Sequence, residues 1–366
     1  MCLHSDPTRT LELDQAGAFA EEMIQLANHA TTALMISVGH RTGLFDTMSG
    51  LPASSSQRIA DAAELDERYV REWLASMTVS GLVVYDPVRQ VYHLPAEHAA
   101  FLTRAAGGDN LAALMQYISV MGSVESDIVD CFRRGGGLSY DKYERFHQVM
   151  AEDSAMVFDS ILIDEVLPLA PGLVERLEQG VDVLDVGCGA GKAMVNLATV
   201  FPRSRFRGLD LCADVIERAR ELTAARGLEN LTFDVMDASQ LDEAEAYDVV
   251  TTFDSIHDQA HPDVVLSAIR RCLRPGGLYL MQDVAGSSHL EKNLDHPLAP
   301  LFYGISCFHC MSVSLSAGGA GLGTLWGEEL AQQMLAEANL PVESVHHLAG
   351  APQHVYFVAR IPEATS

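Results

Sequence analysis

Apolar positions follow a helical period over the first third of this chain and alternate between strand and helix patterns over its second half. Residues 19–38 are apolar at helical spacing, and the pattern continues through Gly39-His40-Arg41-Thr42-Gly43-Leu44-Phe45. Ser54-Ser55-Ser56 offers an N-cap for a short helix over 57–63. A further helix is expected over 66–80, with Tyr69, Val70, Trp73, Leu74 and Met77 at i, i+3, i+4 spacing. Residues 82–85 and 90–94 read as two strands joined by the turn Asp86-Pro87-Val88-Arg89. Helix-turn-helix followed by a hairpin is a winged helix. Residues 111–133 are helical in pattern and end before the flexible break Gly135-Gly136-Gly137.

Past residue 180 the pattern changes. Residues 181–186 form a short, β-branched run of the kind found in a central parallel strand, and Gly187-Cys188-Gly189-Ala190-Gly191 follows. Glycines two apart let the chain turn sharply while its backbone approaches a ligand that a Cβ would obstruct. The spacing is Gly-x-Gly-x-Gly, unlike the Gly-x-Gly-x-x-Gly of dinucleotide binders. Asp210, nineteen residues past Gly191, closes a second strand over 205–209, where an acid can hold two ribose hydroxyls. Residues 233–238 bring a third strand to Asp237 and Ala238, and a fourth spans 247–253. Arg274-Pro275-Gly276-Gly277 introduces a fifth over 278–283. A helix over 328–338 precedes two last strands, 342–347 and 354–359.

These motifs resemble the class I S-adenosylmethionine (SAM)-dependent methyltransferases, whose first motif reads acid-x-Gly-x-Gly-x-Gly, with Asp185 as the acid here. The resemblance implies an α/β fold: a Rossmann-like sheet of seven strands, the last pair antiparallel, behind an N-terminal winged-helix domain. It also implies SAM as cofactor and S-adenosylhomocysteine as product. Asp185, Gly187, Cys188, Gly189 and Gly191 would then surround the amino-acid end of the cofactor. Asp210 and Leu211 would lie at the ribose, Asp237 and Ala238 at the adenine, and Phe253 and Asp254 beyond the fourth strand. The acidic winged helix resembles the dimerisation domain of small-molecule O-methyltransferases, plant caffeate-type and bacterial. The implied division is 1–105 for that domain, 106–175 for a helical linker and lid, and 176–366 for the methyltransferase domain. A substrate insert is expected at about 285–325.

Methyl transfer needs alignment of nucleophile, methyl carbon and sulfur, and a base where the nucleophile carries a proton. His257, in Asp254-Ser255-Ile256-His257-Asp258-Gln259 after the fourth strand, lies where open α/β sheets bind ligands. The segment resembles the family's His-Asp-Trp motif, with Gln259 replacing the tryptophan, and makes His257 the candidate base and Asp283 its orienting partner. A histidine that only caps a helix or lines the cofactor site is the alternative. Phe146 and Met150 match a Phe-Asn-x-x-Met segment of those enzymes, with His147 in place of the asparagine, so all three are candidate pocket residues. Cys307, Met311 and their apolar neighbours read as pocket wall, and the glycine-rich stretch 316–323 as a loop folding over it. A lone Cys-x-x-Cys at Cys307 and Cys310 falls short of a structural zinc pattern, so the pair is expected packed and reduced, with no metal.

Charge narrows the partners. Acids outnumber bases 50 to 24, a net charge of −26, which disfavours phosphate backbones and anionic lipid surfaces. The helix over 66–80 lacks the positive charge of a recognition helix. Seven scattered cysteines suit a reducing cytosol, residues 1–14 do not read as a signal peptide, and no apolar run approaches the ~20 residues of a membrane span. The expectation is a cytoplasmic homodimer that methylates a hydroxyl of a small molecule. A small-thiol S-methyltransferase and a SAM-sensing winged-helix regulator without turnover remain as alternatives.

Overall fold

The computed structural model describes residues 12–363 and divides into two compact units between Ser119 and Val120, so the expected linker segment 106–175 is shared between them. The first unit opens with a 29-residue helix, Leu13–Arg41, followed by Leu44–Ser49, Ser56–Ala63 and Glu67–Val79. Ser55 and Asp66 cap the last two, each accepting a backbone N–H three residues on, at 3.3 Å. Strands β1 (Val84–Asp86) and β2 (Val91–His93) form the antiparallel wing. Trp73 centres this unit, edge-on to Phe45 and donating Nε1–H to the Met35 carbonyl at 2.8 Å. Gly39 is required there, since a Cβ would stand 2.5 Å from the Trp73 ring. Val70, Leu74 and Met77 are buried as their spacing predicts, but Tyr69 is 80% exposed. Successive helix positions are about 100° apart, and with Val70 directed into the core Tyr69 is left on the solvent edge of the stripe.

The second unit is built on a seven-stranded sheet: β3 (Asp182–Val186), β4 (Arg205–Asp210), β5 (Leu231–Val235), β6 (Tyr247–Phe253), β7 (Leu273–Val284), β8 (Val342–Leu348) and β9 (Ala351–Arg360). The spatial order is β5-β4-β3-β6-β7-β9-β8. The first five strands are parallel, while β9 runs antiparallel to both β7 and β8. Because side chains alternate across a pleated strand, Val183 and Val249 enter one core with Met194 and Tyr356, while Leu184 and Val250 enter the other with Leu266 and Phe357. Sequence order reverses at β3, so a crevice opens at the carboxyl ends of β3, β4 and β6.

Two strand ends differ from expectation. β5 stops at Val235, and Asp237 instead caps the following turn by accepting the Ser239 N–H at 2.9 Å. β7 begins at Leu273, five residues early, because an irregularity in its pairing with β6 carries the Pro-Gly-Gly segment within the strand. The 111–133 helix is broken into Leu111–Leu114, Gln116–Ser123 and Glu125–Arg134. No helix of the described residues is long and apolar enough to cross a membrane.

Candidate active site

A cavity of about 440 Å³ lies in the crevice. Its floor is the glycine loop. Gly187, Gly189 and Gly191 all have positive φ, at 75°, 51° and 74°, a conformation that L side chains rarely adopt. The loop is anchored on β4, with the N–H groups of Gly187 and Cys188 both donating to the Leu209 carbonyl. A Cβ on Gly187 would stand 2.4 Å from that of Ser255. Gly191 serves packing instead. A Cβ on it would stand 2.4 Å from the Phe233 ring, and its neighbours Ala190 and Lys192 line the cavity.

Two acids stand behind this loop. Asp210, closing β4, accepts the Gly189 N–H on Oδ2 and the Cys212 N–H on Oδ1, both at 2.9 Å. Burial lifts its pKa, and those N–H groups partly oppose the rise. Asp185 is fully enclosed in β3 and takes the Thr251 hydroxyl at 2.7 Å, and burial pushes its carboxyl up to about 7. Cys188, Leu211, Asp237, Ala238, Phe253 and Asp254 also line the cavity. Asp254 holds a left-handed backbone, φ 50°, where β6 ends, pinned by the Gln282 side chain at 2.8 Å and by His354 Nε2 at 3.2 Å. A non-glycine residue held in that conformation marks a place where the surroundings over-determine the backbone. A deep cavity floored by Cβ-free backbone, with carboxylates at two strand ends, fits a cofactor with ribose and amino-acid ends.

The opposite wall is the helix Phe146–Ile161, through His147, Met150 and Phe158. Its Asp159 pairs with Lys192 Nζ at 2.9 Å, on the helix Lys192–Val200 that leaves the glycine loop, and Phe158 meets Phe253 edge-on. Phe146 does not face the cavity. It is buried and stacked on His309, with ring centroids 3.3 Å apart. Cys307 and Met311 are likewise absent from the wall. The turn Ser306–Cys310 is π-helical, and the face of Met311–Ser316 that reaches the cavity carries Val313, Ser314 and Ser316. The glycine-rich loop beyond closes on Ala260, whose carbonyl accepts the Ala320 N–H at 2.9 Å.

His257 and Asp283 meet as paired, Nδ1 to Oδ1 at 2.7 Å, both buried. His257 does not line the cavity, however. Asp258, which the sequence reading left without a role, stands between ring and cavity, its Oδ1 3.3 Å from His257 Nε2. Burial alone would disfavour the imidazolium, but the charges of Asp283 and Asp258 outweigh it and hold His257 well above the usual histidine range. Of the two carboxylates flanking the ring, Asp258 is the one that lines the cavity. The adjacency of Asp258 to His257 in the motif could have signalled it. Tyr140, also on the wall, carried no such signal.

Residues 30–104 match the family described as Rv2258c-like winged HTH domain, and residues 177–338 match a methyltransferase domain. The chain is 29% identical over 178 residues to the methyltransferase GfsG of Streptomyces halstedii, a match covering 46% of this chain and 64% of that protein. The match therefore spans just under two thirds of that relative's length. An O-methyltransferase family protein of Burkholderia thailandensis superposes with a TM-score of 0.68 at 14% identity, covering 94% of this chain and 99% of that one. Human N-acetylserotonin methyltransferase, solved in complex with SAM, superposes with 0.67 at 15% identity, covering 98% and 100%. At such identities these superpositions carry the fold alone. With a winged HTH domain and a methyltransferase domain matched in that order and the sheet topology and glycine loop in place, the chain matches the class I SAM-dependent methyltransferases that carry an N-terminal winged-helix domain.

Proposed function

We propose that this chain methylates an oxygen of a small molecule held between the glycine loop and the helix Phe146–Ile161. The observation that carries this reading is the series Asp283–His257–Asp258, which ends at the cavity wall on a carboxylate. When bound, the cofactor supplies an electrophilic methyl group on a sulfonium. Everything else falls to the chain. The glycine loop and Asp210 position the donor, while Met150 and Phe158 offer an apolar wall to the acceptor. Asp258 receives the acceptor's proton, and His257, oriented by Asp283, stabilises the charge on Asp258. A neutral hydroxyl needs this help, whereas a thiol ionises in part near neutral pH, so an S-methyltransferase would depend on the series far less.

The test is a panel of phenols, alcohols and thiols incubated with the protein and SAM, read by mass spectrometry for a gain of about 14 mass units, the mass of a CH₂. Oxygen-linked products that vanish in Asp258→Asn support the reading, and products on thiols alone count against it.

The long N-terminal helix supports a homodimer. Phe19, Met23, Ile24 and Leu26 are exposed on it, more apolar surface than an isolated helix keeps in water. A cytoplasmic setting is supported by six cysteines among the described residues, all free thiols. The regulator reading is tested by fluorescence anisotropy with random duplex at low salt. Tight binding that weakens as salt rises would favour it.

A further inference from the structure

Behind the cavity wall, donor atoms of three side chains converge on one space. His257 Nε2, a carboxylate oxygen of Asp258 and the Cys310 sulfur all lie within 4.8 Å of one another. The 3.3 Å between His257 Nε2 and Asp258 Oδ1 matches the ~3.3 Å that tetrahedral bonds of about 2.0–2.1 Å impose on two ligand atoms. Asp258 Oδ1 is buried without a hydrogen-bond partner, while the Cys310 thiol is hydrogen-bonded to both the His257 ring and the Asp258 carboxyl group. Next to them His309 is 1% exposed and has neither ring nitrogen hydrogen-bonded, with Nδ1 4.0 Å from Asp258 Oδ2. A buried imidazole with both nitrogens unsatisfied costs stability unless something else occupies the space it faces.

The surroundings of these donors are those of a metal ligand set. Asp283 holds His257 at Nδ1, which orients the ring with Nε2 toward the shared space, as in carboxylate–histidine–zinc arrangements, and a metal there would displace the Nε2 proton that the two carboxylates otherwise retain. Thr324 Oγ1 donates to the Cys310 sulfur at 3.2 Å. The π-helical turn Ser306–Cys310 brings two consecutive residues, His309 and Cys310, into the interior together, which an ordinary helical turn, advancing about 100° per residue, does less readily. One imidazole, one carboxylate and one thiolate make a mixed N, O, S set that suits zinc and its neighbours, whereas magnesium and calcium want oxygen alone.

We infer that His257, Asp258 and Cys310 form a binding site for a divalent transition metal of the zinc class, with a fourth position on the side of Asp258, the one of the three that lines the cavity. Three protein ligands with one open position is the pattern of catalytic rather than structural zinc. In function the inference rests on the transfer reading above and deepens it. With Asp258 held as a ligand, the metal would take over the part given above to its carboxylate, and an acceptor hydroxyl or thiol in the open position would give up its proton to water at a lower pH than when free. The acceptor is then a molecule whose reacting oxygen or sulfur binds a metal as an anion.

The test uses the full-length protein, stripped with a chelator and titrated with Co²⁺ alone and Zn²⁺ alone, without SAM or acceptor. Expected are one equivalent per chain and a thiolate-to-cobalt charge-transfer band that Zn²⁺ displaces. Cys310→Ser should remove the band, and Asp283→Asn should keep it while weakening affinity by about 10–100-fold. Cys212→Ser should leave band and affinity unchanged, since Cys212 belongs to a separate, more exposed group with His147 and Asp214. Circular dichroism establishes that each variant is folded. If Cys310→Ser does not fold, the Asp283→Asn shift and the Cys212→Ser control decide. No band, no saturable equivalent, or a band lost in Cys212→Ser and kept in Cys310→Ser overturns the inference. Because binding is read without turnover, a protein that methylates yet binds no metal sinks this inference alone. One that binds metal through Cys310 yet methylates nothing sinks the transfer reading alone.

Discussion

His257 and Asp283 are joined Nδ1 to Oδ1 at 2.7 Å from the carboxyl ends of two adjacent parallel strands, which leaves Nε2 as the ring atom directed toward the cavity side. The pair sits one residue behind the wall, so chemistry at the wall passes through Asp258. Turnover should therefore fall by ~10²–10⁴ in His257→Ala and in Asp258→Asn for a hydroxyl acceptor. Asp283→Asn should lose less, through misorientation of the ring. Calorimetry should find SAM affinity unchanged in all three. An equal loss of SAM affinity would move these residues to the cofactor shell.

Asp210 holds the glycine loop through two N–H groups and also faces the cavity. Asp210→Ala removes both loop contacts and any bond to a ribose. SAM and S-adenosylhomocysteine binding should weaken by about 2–4 kcal/mol in calorimetric titration. Parent-like affinity would remove Asp210 from the cofactor site.

Asp185 carries a stability cost that depends on pH. Its folded pKa, about 7, lies above its unfolded value of 3.8. The folded form keeps its proton while the unfolded chain releases one, so stability falls as pH rises from about 4 to 7 and is level above. Asp185→Asn, which can still accept the Thr251 hydroxyl, removes that slope. Urea melts should show the variant gaining on the parent between pH 5 and 7 by a few kcal/mol at most. A constant difference across that window would contradict the assignment.

Gly187 combines a left-handed φ of 75° with a neighbour, Ser255, where its Cβ would go. Gly187→Ala should destabilise by about 1–3 kcal/mol. Adding Ser255→Gly should recover the part due to the clash and leave the backbone part. Full recovery in the double variant would mean that φ contributes nothing.

The exposed apolar residues of Leu13–Arg41 predict self-association. Light scattering should give the mass of a dimer, and Phe19→Glu with Ile24→Glu should reduce it to a monomer with unchanged circular dichroism. A parent that runs as a monomer at micromolar concentration would refute the homodimer.

The order of elements, the parallel sheet, the glycine loop and its two acids were legible in the sequence because each is a local signal. Periodicity reports which face is buried, and a glycine at a tight turn reports a backbone that other residues resist. Strand ends were legible only to within a few residues. At β7 the Pro-Gly-Gly segment reads as a turn, yet sheet pairing carries it as strand. The site depended on what the sequence does not contain. The spacing of Phe146 and Met150 placed both on one helix face, but the packing of His309 turned Phe146 inward and left His147 and Met150 on the wall. Cys307 and Cys310 read as a pair, and a π-helical turn separates their surroundings, burying Cys310 beside His257. Local chemistry determined that a histidine and an acid would stand at the carboxyl ends of β6 and β7. Only tertiary packing decided that Asp258 fills the space between that histidine and the cavity, because which side chain reaches a cavity is set by contacts between segments distant in the chain.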